Sequence, residues 1–237
     1  MAHAPGLTDE LARRAWWALP TVEVARVMLG HESVCRGTMG RVFAEFLVEN
    51  LPFEADSMAA MNTVRAVLAA NLLDESARLA LWQKARRRPY YLVGFLESTP
   101  DSLPAADAGR TVPTSLATSL ANPWVAQLVR CYAPAGQAWL KAMELALDKA
   151  SEHEAVYLLL DLIGGYFGTL SGAAGREALA GHENEAAAMV ALAQVSNRDG
   201  EEILVRTTAV GALLRKKIEP LVAPLLAHLR LLQGRNQ

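Results

Sequence analysis

Apolar residues recur three and four positions apart over most of this chain, the spacing that gathers them on one face of an α-helix. The elements they predict are helices. Thr8 is placed to cap a helix running through LARRAWWAL, which Pro20 closes. Residues 21–29 continue as a short helix ending at Gly30, and Val42, Phe43, Phe46 and Leu47 repeat at helical spacing before Pro52 interrupts. Segments 53–73 and 74–88 read as a longer pair, with Leu79 and Trp82 on one face, and Pro89 opens PYYLVGFLE.

The pattern stops at 98–123, where prolines cluster with Ser, Thr, Ala and Asp. A connection this long is a linker or a functional loop. It divides the chain into a helical lobe over 1–97 and a second over 124–237, with a short helix near 115–120. Helical periodicity then resumes at 124–132, 135–150, 155–175 and 183–195. Over 201–218, Ile203, Val210, Leu214 and Ile218 share one face. Pro220 suits the first turn of a last helix, LVAPLLAHLRLL. The expected fold is all-α, a multi-helix bundle or an irregular HEAT-like α-solenoid in two packed lobes.

Segment 155–175, AVYLLLDLIGGYFGTLSGAAG, stands apart because Asp161 is its only charge. Its apolarity predicts a buried helix, with Asp161 as a buried charge that must meet a cation such as Arg130, Arg176 or Arg206. Gly164, Gly168 and Gly172 recur every four residues, a stripe that lets another helix approach closely. A central Asp costs about 2.5–3.5 kcal/mol on insertion into a bilayer, roughly what the apolar residues return. A membrane span is therefore disfavoured.

Composition supports helices over sheets: 52% of residues are apolar, dominated by Ala and Leu, and only 6% are aromatic. A net charge of −2 gives no indication of a general polyanion-binding surface, though it leaves room for a local basic patch. Two cysteines, Cys35 and Cys131, are too few for a disulfide scaffold and read as reduced. No secretory leader is visible at the start, so the expected location is cytoplasmic.

The search for chemistry returns little. The His-Glu dipeptides at His31, His153 and His182 point to different helix faces, and the pairs His31/Cys35 and His182/Glu185 do not complete a metal site. Glu144, Asp148 and Glu152 read as a solvated acidic stripe. GTLSG at 168–172 misplaces the serine of a nucleophile elbow, and no phosphate-binding glycine loop occurs. Lys84, Arg86, Arg87 and Arg88 precede Tyr90 and Tyr91, a combination of cations and aromatics that holds phosphates and stacks bases.

Glu23-Val24-Ala25-Arg26, Leu29-Gly30 and Gly40-Arg41-Val42 resemble the opening of the alkylpurine DNA glycosylases, mixed α/β enzymes in which the second motif ends a strand. The family's catalytic glutamate would fall on Phe46 and its stacking tyrosine on Val48. The resemblance covers about a tenth of the chain and lacks the residues that carry that chemistry.

No catalytic, cofactor-binding or metal-ligating residue is assigned, and no cofactor is expected. The expected function is that of a non-catalytic interaction protein, an adapter, assembly factor or accessory subunit, whose partner is another protein. The candidate contacts are Trp16, Trp17, Arg86, Arg87, Arg88 and Tyr90. Adjacent Trp16 and Trp17 diverge by about 100° on a helix, so one of them faces outward. The alternatives are an accessory protein holding nucleic acid through 84–88, and an all-α enzyme centred on Asp161.

Overall fold

The computed structural model describes residues 6–104, 107–170 and 174–235. They form fourteen α-helices, three short 3-10 turns and no strand. The chain divides into two compact units, Met1–Thr99 and Pro100–Gln237.

Unit 1 contains α1 (Asp9–Ala18), α2 (Val22–Met28), α3 (Glu32–Cys35), α4 (Thr38–Asn50), α5 (Ser57–Ala70), α6 (Glu75–Ala85) and α7 (Pro89–Ser98). α1, α2 and α6 start where the sequence supplies a capping side chain. Thr8 Oγ1 accepts from Leu11 N, Thr21 Oγ1 from Val24 N, and Asp74 from Ala77 N at 2.7 Å. α5 packs between α4 and α7, and α6 lies against α7. Phe43, Leu47, Met61, Val64, Leu92 and Phe95 fill the space between them. Segment 20–45, whose resemblance implies a strand, folds as α2, α3 and the first half of α4.

Unit 2 contains α8 (Thr114–Ala117), α9 (Pro123–Tyr132), α10 (Pro134–Lys149), α11 (His153–Phe167), α12 (Glu183–Ala193), α13 (Arg198–Leu204) and α14 (Gly211–Leu232). α14 lies against α10 and α12, and α12 against α11. Residues 107–113 contain no regular element yet are tied to this unit. Arg110 N donates to Tyr132 O at 2.8 Å, and Lys141 pairs with Asp107.

The structure departs from two of the expected elements. The face predicted over 201–218 is broken: α13 ends at Leu204, Val210 is 63% exposed, and α14 begins at Gly211. Local polar ties hold the break. Thr207 Oγ1 accepts from Lys217 Nζ at 2.7 Å, and Gly211 N donates to Ser151 O at 2.8 Å. Conversely, α14 runs through Pro220 and Pro224 without starting afresh. Both prolines lie on its exposed face, where water can serve the carbonyls they leave unbonded. The opposite face, Leu214, Ile218, Val222, Leu225, Leu229 and Leu232, stays buried throughout, so packing outweighs propensity.

Among the described residues no helix is long and apolar enough to cross a membrane.

Candidate interaction surface

On α1, Trp16 and Trp17 have different environments. Trp16 is half-buried and meets Phe43 and Phe46 edge-on, with ring centroids 5.2 and 4.7 Å away. Trp17 is 80% exposed. Arg13 and Arg14 lie one turn before it on the same side of the helix, and both donate to Glu10, at 2.9 and 2.8 Å. Those bonds hold the Glu10 carboxyl at about 2. Anchoring one indole thus presents its neighbour, with two guanidinium groups beside it, on a rigid helix.

The basic cluster divides between two settings. Lys84, Arg87 and Arg88 line a hollow of about 440 Å³ with Gln83, Pro52 and Tyr91. Arg86 is exposed and lies outside that lining, as does the half-buried Tyr90. Tyr91 is the aromatic at the hollow: its hydroxyl donates to Leu51 O at 2.9 Å, and the Arg88 guanidinium carbon sits 5.9 Å from its ring centre. Burial pushes the Tyr91 phenol above its ordinary pKa. Sequence reasoning missed Pro52 and its neighbour Phe53, which is 83% exposed. They read as a break and the start of a helix; instead 51–53 is a 3-10 turn outside α5.

Asp161 is not a buried charge. It lies on the exposed side of α11 and accepts the backbone N–H of Asn197 at 2.8 Å, at the start of α13. The buried residues of α11 occupy an arc of about 140° at about 100° per residue, and Asp161 lies opposite that arc. Hence the apolar segment has an outward face after all, made of Asp161, Gly165 and their neighbours. Of the glycine stripe, only Gly164 shows a close approach: a Cβ there would stand 2.0 Å from Val195 O. A Cβ at Gly168 would meet nothing within 4 Å, and Gly172 lies outside the described residues.

The acidic stripe also departs from expectation. Asp148 is exposed, but the Glu144 side chain is only 15% exposed and accepts from Arg230 at 2.8 Å, Gln233 at 3.1 Å and Arg235. A second polar group joins residues distant in sequence. Tyr132 Oη donates to Glu185 at 3.1 Å, Arg110 lies 4.0 Å over the Tyr132 ring, and His182 Nδ1 is 4.0 Å from Glu185. Burial drives the Tyr132 hydroxyl to about 12, so it stays protonated at neutral pH.

Both cysteines are free thiols, and burial raises both pKa values, that of Cys131 to about 12. They are poor nucleophiles. Among the described residues no three His, Cys, Asp or Glu side chains are grouped to hold a metal ion.

Compared with protein-family models, curated proteins and solved structures, the chain gives no significant match in any of the three. Its functional reading therefore rests on its own geometry.

Proposed function

We propose that this protein is a helical interaction module that docks another protein through the outward side of α1, with Trp17 as the central contact. The observation that carries the reading is the 80% exposure of an indole whose neighbour, Trp16, is fixed against α4. Trp and Arg are the residue types that dominate binding energy at protein interfaces. A rigid helix presents them with little ordering cost. The matching partner surface is an apolar pocket for the indole with hydrogen-bond acceptors at its edge, since the Arg13 and Arg14 guanidinium groups lie beside Trp17.

The test is recovery of the tagged chain from its native cells with a stoichiometric partner, repeated with Trp17→Ala. The variant should lose the partner while keeping its melting temperature, because the exposed side chain contributes little to folding. Recovery of the unmodified chain without a partner, or a partner retained at equal yield by Trp17→Ala, would overturn the reading.

A further inference from the structure

We infer that the hollow between the end of α6 and the start of α7 binds single-stranded nucleic acid, with backbone phosphates against Lys84, Arg87 and Arg88 and a base against Phe53. This does not depend on the Trp17 surface.

The charge arrangement is the starting point. The six residues lining the hollow include three cations and no carboxylate. Among the described residues, neither Lys84 nor Arg87 has an ion pair, whereas Arg13, Arg14, Arg26, Arg36, Arg41 and Arg65 in the same unit each do. Cations at the end of one helix are ordinarily stabilised by its dipole. Here α7 begins at Pro89, directly after Arg88, and its positive end offsets that stabilisation. Like charges thus share one concavity whose lining, among the described residues, holds no carboxylate, and a bound anion relieves their repulsion.

The shape and the aromatics select the kind of anion. A site that encloses a free nucleotide buries most of its ligand. Here all three cations are exposed, an arrangement that tracks a strand running across the surface. Pro52 and Tyr91 supply apolar wall, and Tyr91 is locked by its bond to Leu51 O. Phe53, next along the chain from Pro52, offers an exposed ring on which an unpaired base can stack. An acidic peptide would satisfy the cations and leave that ring unused, and a duplex keeps its base faces stacked internally.

Fluorescence anisotropy of the full chain with labelled 20-nucleotide oligo(dT) and oligo(rU), from about 50 to 200 mM salt, tests this. Three phosphate contacts predict a log–log salt slope of about −2 for a single strand. Arg87→Glu with Arg88→Glu should weaken binding at least about tenfold, and Lys84→Ala should flatten the slope by about 0.7. Phe53→Ala should weaken binding about fivefold or more with the slope unchanged. Arg206→Glu, an exposed cation of unit 2, should leave affinity within about twofold. Circular dichroism and melting curves establish that each variant is folded, and Lys84→Ala serves as the milder probe if the double charge reversal unfolds the chain. The inference fails if no strand binds below about 100 μM at the lowest salt. It fails equally if duplex or poly-glutamate competes as well as the strand, if free nucleotide binds as tightly, or if Phe53→Ala has no effect.

Discussion

In unit 2 the carboxylate of Glu144 gathers Arg230, Gln233 and Arg235, whereas in unit 1 Lys84, Arg87 and Arg88 share a hollow lined by no carboxylate. The contrast extends further. Arg110 joins residues 107–113 to Leu232 O at 3.0 Å, where Gln137 also donates, so the last carbonyl of α14 is satisfied by side chains. Arg130 makes two 2.8 Å bonds to Asp101 while covering the Tyr166 ring, which in turn stacks on Trp139 at 3.7 Å. Unit 1 instead carries the two most exposed aromatics of the described residues, Trp17 and Phe53. A charge or ring engaged by its own unit serves as a tie. One left outward on a rigid helix or turn is available to a partner, and both surfaces proposed above fall in unit 1.

The most forceful way to challenge this comparison is to strain the packing that unit 2 depends on. Gly164→Ala puts a Cβ 2.0 Å from the Val195 carbonyl, a backbone atom that cannot rotate away. Destabilisation of about 3 kcal/mol or more is expected in urea unfolding. Gly168→Ala, one turn along, enters open space in a right-handed helical conformation and should stabilise by about 0.5 kcal/mol. Equal effects at the two positions would show that the stripe acts as a whole, as its sequence spacing implies.

Glu144→Ala comes next, with an expected cost of about 2–4 kcal/mol, because it leaves Arg230 and Gln233 without their shared acceptor. Burial alone would raise the Glu144 pKa, but its bonds from Arg230 and Gln233 and the nearby Arg235 charge hold it below the ordinary 4.5. A depressed folded-state pKa means the stabilisation is present above 4.5 and is lost as pH falls through the lower folded value. Chemical denaturation measured from pH 6 down to about 3 should show the native chain losing stability faster than Glu144→Gln. Parallel pH curves would remove Glu144 from the account.

For unit 1, the paired tryptophans provide the corresponding test. Trp16→Ala gives up the edge contacts to Phe43 and Phe46 and should cost about 2–3 kcal/mol. Trp17→Ala should fall within about 0.5 kcal/mol. A large loss at Trp17 would mean that its ring serves folding, against the interaction reading.

The outline of the fold was legible because caps and periodicity are local signals: Thr8, Thr21, Asp74 and Pro89 mark helix starts in the sequence and in the structure alike. What escaped was decided at a distance. Pro220 looks like a start until the buried face of α14 is seen to continue on both sides of it. Glu144 looks like a solvated acid because its partners lie some ninety residues away. At 84–88 the cations were legible, but the hollow was not, since Pro52 reaches it only through the packing of the chain. Trp17 was half-legible: adjacency required that one indole face outward, and only the contacts of Trp16 with α4 decide which.

A smaller loss than those at Gly164, Glu144 and Trp16 belongs to Asp161, and it bears directly on what an isolated carboxylate does in this chain. Asp9 of α1 already accepts Met39 N at 2.9 Å and Thr38 N at 3.1 Å, capping α4 from another helix. Asp161 does the same for α13 through Asn197 N. Each supplies an acceptor where the helix's own N-cap residue, Gly37 or Asn197, makes no side-chain cap bond. Asp161→Ala should therefore cost about 1 kcal/mol, the ordinary value of an N-terminal cap. Asp161→Asn, which keeps an acceptor oxygen, should recover most of it. Hydrogen exchange should localise the change to the first turn of α13, with α11 unaffected. A loss spread through α11 would return Asp161 to the core from which its exposure removes it.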